Sequence, residues 1–237
     1  MSKNSEKNFV IRHKNIDINV AVKKNRLSKS YKFTFDKKNL RGLVSIPTYI
    51  TINSGVKFAK DNIDWLYKQL KALQPLIYID NEVEIKISNK KYKIIYKKSN
   101  FSYVSLIKNK ILILSKKNNH RTVLYQWLRE ELLKKSTNIL SNLSSEIRPK
   151  SHMIKLTNSF NYWGSCNSKG EINLNWRLIF SPDEVVRYII VHEVCHLIEF
   201  NHSDKFWKLI KRHCPNYTSQ INWLKKNENY LYSIRFS

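Results

Sequence analysis

The sequence has few cysteines and no long apolar run, and each shortage narrows the class of protein. The three cysteines, Cys166, Cys195 and Cys214, are odd in number and far apart, which argues against a disulfide framework and suits a reducing compartment. No apolar stretch reaches the roughly 20 residues that a membrane-spanning helix needs. The N-terminal residues carry charge throughout, so we expect no targeting segment and a cytoplasmic protein.

Acidic residues are scarce as well: 18 Asp and Glu face 43 Lys and Arg, for a formal net charge of +25. Such a positive field favours anionic partners, so nucleic acid or a nucleotide is one predicted partner of the basic surface. A second interpretation is compositional, because Lys, Asn and Ile are abundant while the 4 Gly and 5 Pro are few, as an AT-rich genome would produce. The charge by itself leaves both interpretations open.

Hydrophobic residues make up 42% and aromatic residues 12% of the 237 positions, which indicates a folded protein with a real core. Alternating apolar residues predict strands through most of the N-terminal half, interrupted by one amphipathic helix capped by Ser54. We therefore predict an α+β fold with a β-rich N-terminal lobe over 1–118 and a more helical lobe over 119–237. The polar break at 117–119 separates them.

The C-terminal lobe is predicted to begin with a long amphipathic helix that ends before Pro149. Its apolar residues recur at intervals of four or seven: Leu124, Leu128, Leu132, Ile139, Leu143 and Ile147. A strand at Ile154 and Leu156 is expected to follow. The segments 163–166 and 167–170 are predicted as turns, and alternation from Ile172 to Leu178 predicts the next strand, so a hairpin precedes the site described next.

Residues 191–197 read VHEVCHL and contain the most informative spacing in the chain. His192 and His196 are four residues apart, so on a helix they lie on one face and can bind one metal ion together. Glu193 stands beside the first histidine and can accept a proton from a water molecule as general base. The pattern predicts a Zn²⁺ site with Glu193 as the catalytic residue.

The flanking residues predict where this helix begins and ends. Ser181, followed by Pro and two acids, is the predicted N-cap, and Asn201 is the predicted stop. His202, just past that stop, is the candidate third ligand, which would leave a fourth coordination position open as in catalytic zinc sites. A further helix is predicted to start from Ser203 as its cap.

Other interpretations of these residues stay open. The histidines could be incidental on a buried core helix, or belong to a site that no longer binds metal. If His202 is not the third ligand, Cys166, Glu199 or His213 are the next candidates, although Cys166 favours packing because it lacks a nearby cysteine partner. His152 and His213 are otherwise predicted to be surface or packing histidines.

Three short segments resemble a known family. NHSDKFW at 201–207, WGSC at 163–166 and NLNWR at 173–177 are similar to the YgjP-like zinc metallopeptidases, small zincins akin to the SprT and WLM groups. The resemblance is strong over about 160–217 and weaker back to about Arg26. It implies a zincin-type catalytic lobe of long helix, hairpin, HExxH helix and C-terminal helix. It also implies zinc at His192, His196 and His202, with Glu193 catalytic.

The chain departs from the family immediately before WGSC, where the family usually has Arg and this sequence has Tyr162. Tyr162 and Trp163 are our candidates for substrate binding, with Tyr162 as a donor to the tetrahedral oxyanion of peptide hydrolysis. On the residues alone, Trp163 and Trp176 also fit the role of core anchors.

Two enzymatic functions follow from the motif. The first is a zinc-dependent metallopeptidase that hydrolyses protein or peptide substrates through a water activated by Glu193. The alternative is a metal-dependent hydrolase of an anionic non-peptide substrate such as a nucleoside triphosphate, drawn in by the positive field. A third, non-enzymatic interpretation is a nucleic-acid-binding module with a fossil zinc site. An open groove beside an edge strand would favour the peptidase, and a closed basic pocket the nucleotide hydrolase.

Overall fold

The structure is a computed structural model that describes residues 6–148 and 153–236. The chain divides into two compact units, Met1–Gln74 and Pro75–Ser237. Pro149 and His152 lie outside the described residues, so the predictions made for them are left as they stand.

The first unit is a four-stranded sheet with two helices. The strands are β1 (Glu6–His13), β2 (Ile16–Lys24), β3 (Lys32–Asp36) and β4 (Arg41–Ile46), in the order β1-β2-β4-β3. The helices are α1 (Ile52–Asp61) and α2 (Ile63–Lys71). Strands β2 and β4 are parallel, and the outer pairs are antiparallel. The buried side chains of both layers form one cluster: Ile11, Ile18, Val20, Val22, Val44, Ile46, Ala59, Ile63 and Leu66.

The helix of this unit differs from its prediction in two ways. The cap of α1 is Thr51, whose hydroxyl accepts a hydrogen bond from the Ser54 N–H at 3.2 Å, so the assignment of Ser54 as cap was wrong. The helix is also interrupted at Asn62, where the side-chain amide donates to the Phe58 carbonyl at 2.9 Å. Local hydrogen bonding by an Asn side chain competes with the helical ladder and ends it there.

The second unit contains the remaining elements. Its strands are β5 (Ile77–Tyr78), β6 (Glu84–Ile87), β7 (Lys90–Lys98), β8 (Tyr103–Ile107), β9 (Lys110–Ser115), β10 (Ile154–Thr157), β11 (Gly164–Cys166), β12 (Ile172–Asn175) and β13 (Ile234–Arg235). Its helices are α3 (His120–Ser141), α4 (Asp183–Cys195), α5 (Asp204–His213) and α6 (Tyr217–Ser233), with a 3₁₀ turn at Trp176–Phe180 before α4.

The sheet of β6–β9 repeats the strand order of the first unit, β6-β7-β9-β8, again with a parallel central pair. Both sheets open with a two-residue hairpin loop, Lys14-Asn15 and Ser88-Asn89, in which both residues have positive φ. Positive φ at both positions is the signature of the type I′ turn, whose twist matches that of the strands. A helix follows each sheet in the chain, so the same arrangement of strands and helix occurs twice.

Helix α4 lies in the core of the second unit. It packs against α3, α5, α6 and strand β11, and nine of its thirteen residues are buried. A helix that is apolar on nearly all sides is one that the fold surrounds. Strand β11 belongs to a separate three-stranded sheet, β10-β12-β11, in which it occupies one edge.

The mixture of helices and sheets confirms the predicted α+β class. Helix α3 is shorter than predicted: it ends at Ser141, and the Asn142 side chain donates to the Asn138 carbonyl at 2.9 Å. Leu143 and Ile147 are buried nonetheless, in the turns that follow. Strands β6–β9 lie in the same compact unit as α4, although the sequence groups them with the N-terminal lobe. No helix among the described residues is both long and apolar enough to cross a membrane.

Candidate metal and catalytic site

The start of α4 is held by a polar cluster rather than by the predicted cap. Ser181 donates its hydroxyl hydrogen to the Leu178 carbonyl at 2.6 Å, because the preceding 3₁₀ turn offers that acceptor, so the prediction of Ser181 as N-cap was wrong. Asp183 in the first turn instead accepts from Lys135 Nζ and Ser88 Oγ, both at 2.6 Å. Burial by itself would raise the pKa of Asp183, and these hydrogen bonds outweigh it, so that the pKa is lowered. The carboxylate thereby complements the positive end of the helix.

The end of α4 comes earlier than predicted. The helix ends at Cys195, with His196 as its C-cap, and the chain continues in turns to Glu199. Asn201 has no positive φ and does not terminate the helix. His196 keeps helical backbone angles, so it still lies on the same face as His192, with ring centroids 5.0 Å apart.

Three imidazoles converge beyond this helix end. A ligating nitrogen from each of His192, His196 and His202 lies within 4.8 Å of the others. His192 Nε2 and His202 Nε2 are 3.1 Å apart. Two imidazole nitrogens on a tetrahedral zinc, at bond lengths of about 2.0–2.1 Å, would stand a little over about 3 Å apart. The donor set and its spacing therefore fit a zinc ion.

Hydrogen bonds to the opposite ring nitrogens orient two of the three histidines. His196 Nδ1 lies 3.1 Å from the Glu199 carbonyl. Since a carbonyl only accepts, Nδ1 carries the hydrogen and Nε2 keeps its lone pair. His192 Nδ1 lies 3.4 Å from Tyr188 Oη, one helical turn earlier. Burial, together with the two neighbouring histidines, lowers the pKa of His192 to about 4, which keeps its ring neutral at physiological pH.

The third histidine is positioned by the start of α5. Ser203 caps α5 as predicted, its hydroxyl accepting from the Phe206 N–H at 3.4 Å. The Trp207 ring stacks on His202, with centroids 5.7 Å apart, and Phe206 stacks on His196 at 4.6 Å. His202 lies outside any helix and is the most exposed of the three histidines. Its position is set by the stacking of Trp207 and by the adjacent cap at Ser203.

Glu193 lies beside the triad and is 9% exposed. Burial raises the pKa of Glu193 to about 7. A carboxylate whose pKa is close to the working pH is suited to accept and return a proton. Strand β11 closes over this side chain: a Cβ added at Gly164 would lie 2.8 Å from Glu193 Oε1 and 2.8 Å from Ile189 Cγ2. Only glycine allows the backbone of β11 to approach α4 so closely.

Gly164–Cys166 forms a strand, where a turn was predicted over 163–166. Gly164–Cys166 pairs antiparallel with β12, so β11 and β12 form the hairpin before α4. The predicted hairpin partner, the strand at Ile154 and Leu156 (β10), runs parallel to β12 instead, so that pairing was predicted wrongly. The second strand is shorter than predicted, since it ends at Asn175 and gives way to the 3₁₀ turn. Cys166 lies in this hairpin, and burial together with the nearby Glu193 raises the pKa of its thiol to about 11.

Asn175 explains the local geometry before the hairpin. Its side-chain amide donates to the Ser159 carbonyl at 2.6 Å and to the Tyr162 carbonyl at 3.3 Å. Its oxygen accepts from the Arg177 N–H at 3.1 Å, which starts the 3₁₀ turn. One buried amide, that of Asn175, thus holds the loop that carries Tyr162 against β12.

A cavity of about 310 Å³ opens beside the triad. Three segments line it: residues 162–164 at the start of β11, helix α4 and helix α6. The lining residues are Tyr162, Trp163, Gly164, Tyr188, Ile189, His192, Glu193, Ile221, Leu224, Lys225 and Glu228. Both predicted substrate contacts, Tyr162 and Trp163, are therefore at this cavity. Tyr162 is 42% exposed, whereas the Trp163 ring stacks on Tyr232 with centroids 4.5 Å apart.

The remaining candidate ligands lie elsewhere or serve other contacts. His213 Nε2 pairs with Glu146 at 3.1 Å, and Glu199 contributes its carbonyl to His196. Tyr188, Gly164 and the residues of α6 that line the cavity were not predicted from the sequence. The contact of Tyr188 with His192 could have been predicted, because Tyr188 precedes His192 by four residues and therefore lies on the same helical face.

Taken together, the fold and the site define a mixed helix-and-sheet protein with a histidine triad and a buried glutamate at the end of a core helix. This is the residue set with which metal-dependent hydrolases hold a metal and activate water.

The family model described as the YgjP-like metallopeptidase domain matches residues 29–227. The match spans most of the chain, so the protein belongs to the YgjP-like metallopeptidase family, as the motifs at 163–166, 173–177 and 201–207 had indicated. Among solved structures, the metallopeptidase zymogen abylysin of Pyrococcus abyssi is similar at 21% identity over 41% of this chain and 92% of that one. Its TM-score of 0.31 is too low to support an argument about shape. A search of curated proteins finds no match.

Proposed function

We propose that this metallopeptidase is a zinc-dependent endopeptidase that cleaves extended or unfolded polypeptide. The observation that carries the proposal is the convergence of His192, His196 and His202 beside the buried Glu193, under an edge strand. The three imidazoles would hold zinc through Nε2, and the open fourth position suits catalysis rather than a structural role. Zinc, when bound, polarises the scissile carbonyl and makes a water molecule more acidic.

Glu193 would transfer the proton. Its carboxylate lies next to His192 along the chain and lines the same cavity, so a water between the triad and the substrate is within its reach. It would accept the proton of the attacking water and later deliver it to the leaving nitrogen. Its buried surroundings favour this role, because they hold its pKa near neutrality.

Strand β11 would hold the substrate. It pairs with β12 on one side and forms an edge of its sheet, which leaves its other side for an extended peptide to add as a further strand. Backbone pairing of this kind binds extended polypeptide of many sequences, and an unfolded chain exposes many such segments. Tyr162, half-exposed before β11, would donate its hydroxyl hydrogen to the developing oxyanion.

The cavity argues against the alternative of a nucleoside triphosphate. Among the described residues, its lining has a single cationic side chain, Lys225, and two carboxylates, Glu193 and Glu228. A triphosphate site would need several cationic or backbone N–H donors directed at one point. The lining here is mainly apolar and aromatic, which suits a peptide side chain.

The proposal is tested with two variants that separate metal binding from proton transfer. Glu193→Gln keeps all three histidines, so we expect unchanged zinc content and a loss of activity of roughly 10²–10⁴-fold. His202→Ala removes one ligand, so zinc affinity and activity should fall together. Zinc is measured by elemental analysis, and activity against an unfolded protein and, in parallel, nucleoside triphosphates. Wild-type turnover by Glu193→Gln, or hydrolysis of the triphosphates alone, would contradict the proposal.

A further inference from the structure

One wall of the cavity beside the triad is formed by residues to which the proposed mechanism assigns no role. Helix α6 contributes Ile221, Leu224, Lys225 and Glu228 to it, far along the chain from the HExxH motif. Leu224 is buried and Ile221 is half-buried. Tyr188 and Ile189 of α4 line the same cavity and add further apolar surface.

We propose that this cavity is a specificity pocket for one large apolar side chain, aromatic or branched aliphatic, of the residue next to the scissile bond. Ile221 and Leu224 are its specificity-determining residues. This assignment rests on the proposed peptidase function. It further specifies that cleavage occurs beside large apolar residues.

The position of the pocket supports this assignment. His192 and Glu193 line the same cavity as Ile221 and Leu224, so a substrate whose scissile bond lies at the triad extends its neighbouring side chain into it. The volume of about 310 Å³ is at the lower end of the range of about 300–1,000 Å³ for ligand sites, which suits one large side chain. A small side chain such as that of alanine would leave most of this space unfilled.

The chemistry of the lining determines the kind of side chain. The walls are formed largely by Trp163, Ile189, Ile221 and Leu224, and burial of an apolar group against them is favourable. An acidic side chain would meet the carboxylates of Glu193 and Glu228, and like charges at close range repel. A basic side chain is the main competitor, because Glu228 could attract it, and it is therefore included in the test.

The test uses four peptide hydroxamates that are identical except for one side chain: benzyl, isobutyl, methyl or aminobutyl. Each is titrated into zinc-loaded full-length protein by isothermal titration calorimetry. We expect the benzyl and isobutyl compounds to bind roughly 10- to 100-fold more tightly than the methyl compound, the range that a buried apolar side chain provides. Tightest binding of the aminobutyl compound, equal binding of all four, or no binding at all would overturn the proposal.

Substitution of the pocket wall then assigns the preference to α6. Ile221→Trp fills the cavity, so the preference for benzyl and isobutyl should fall to within about 3-fold of methyl while binding of the methyl compound persists. Asn222→Trp is the matched control, since residue 222 is the exposed neighbour on the same helix and does not line the cavity. Leu224→Ala enlarges the pocket and should favour benzyl over isobutyl. An Ile221→Trp variant that binds zinc but keeps the wild-type preference would overturn the assignment.

Cleavage mapping separates this inference from the peptidase proposal itself. If the hydroxamates are discriminated but no unfolded protein is cleaved, the pocket stands and the peptidase function fails. If unfolded protein is cleaved with no preference for large apolar residues beside the cleaved bonds, the peptidase function stands and the pocket assignment fails. Cleavage sites are identified by mass spectrometry of the products.

Discussion

Gly164 lies against Glu193 so closely that a Cβ at position 164 would stand 2.8 Å from both Cγ and Oε1 of the glutamate. The same Cβ would stand 2.8 Å from Ile189 Cγ2, so a second side chain of α4 also leaves no room for a methyl group at position 164. The strand proposed to bind substrate and the residue proposed to move the proton are therefore in direct contact.

Gly164→Ala should reduce activity by at least about 10-fold with zinc content unchanged, because the added methyl must displace either Glu193 or β11. The three atoms nearest to the added methyl belong to Glu193 and Ile189, and none of them belongs to a histidine. Overpacking should also lower the free energy of unfolding by about 1–3 kcal/mol. Activity, zinc content and urea unfolding are measured on the same preparation.

The control for this variant is Gly170→Ala in the turn of the same hairpin. Gly170 has a φ of 79°, so alanine there is strained and should destabilise the hairpin without touching Glu193. An equal loss of activity in both variants would show that hairpin stability, rather than contact with Glu193, controls the rate.

Features of the fold and the site that depend on residues close together in the sequence are predicted best. Helical periodicity predicts α4, and the spacing of His192 and His196 survives even though the helix ends early, because a C-cap residue keeps helical angles. The cap at Ser203 is also predicted correctly, since it depends on neighbours within a few residues. A hairpin does precede α4, but its first strand is β11, which is predicted as a turn, whereas the predicted partner at Ile154 and Leu156 runs parallel to β12.

The wrong or missing predictions concern residues whose structure depends on a competing hydrogen-bond acceptor or on an element distant in the sequence. Ser181 has the residue type of a cap, yet a carbonyl in the preceding 3₁₀ turn takes its hydroxyl. Gly164 reads as a turn residue until α4 is placed against it, and only then does its missing side chain explain a close approach. The contribution of Ile221 and Leu224 to the cavity depends on the packing of α6, which no local pattern encodes.

Tyr188→Phe should weaken zinc binding by roughly 10-fold, at the lower end of the effect of losing a partner behind a ligating histidine. The hydroxyl lies 3.4 Å from His192 Nδ1, and without it the ring loses the contact that sets its orientation and tautomer. Zinc affinity is measured by competition with a chromogenic chelator. Tyr125→Phe, which removes a hydroxyl that accepts from Arg129, is the control, and an equal effect of both variants would contradict a specific role of Tyr188.

Stability should fall at acidic pH in part through Asp80. Hydrogen bonds from Arg121 and His120 hold the pKa of Asp80 well below its usual range. Because the folded-state pKa is depressed, this contribution is present above the ordinary pKa of about 4 and is lost as the pH falls below it. Wild type should therefore be more stable than Asp80→Asn at pH 7, and the difference should shrink towards pH 2.

The measurement for Asp80 is the free energy of urea unfolding across this pH range. Asp61→Asn, at an exposed residue of the first unit, reports the background of a removed carboxylate. A wild-type and Asp80→Asn difference that stays constant from pH 7 to pH 2 would show that the ion pair does not contribute through its charge. Since Asp80 is partly exposed, added salt should also reduce the difference.

Arg177 is the most deeply buried cation of the described residues, at 2% exposure. Burial, together with the neighbouring Arg235, lowers the pKa of its guanidinium to about 10. Its Nη1 donates to Asn158 Oδ1 at 2.7 Å and its Nε to the Ile234 carbonyl at 3.3 Å, while the group lies 4.4 Å from the centre of the Phe160 ring. These contacts join the loop before β11, the 3₁₀ turn and the C-terminal strand β13.

If these contacts depend on the planar guanidinium, lysine cannot replace it. Arg177→Met removes both hydrogen bonds but keeps much of the volume, so we expect a loss of about 1–3 kcal/mol in the free energy of unfolding. Arg177→Lys should be at least as destabilising, because it buries a strongly hydrated ammonium that cannot form the forked contacts or stack on Phe160. Urea unfolding of the full chain gives both values, with Arg12→Met on the exposed face of β1 as control. A lysine variant as stable as wild type would mean that the charge alone, and not the shape of the guanidinium, holds these three segments together.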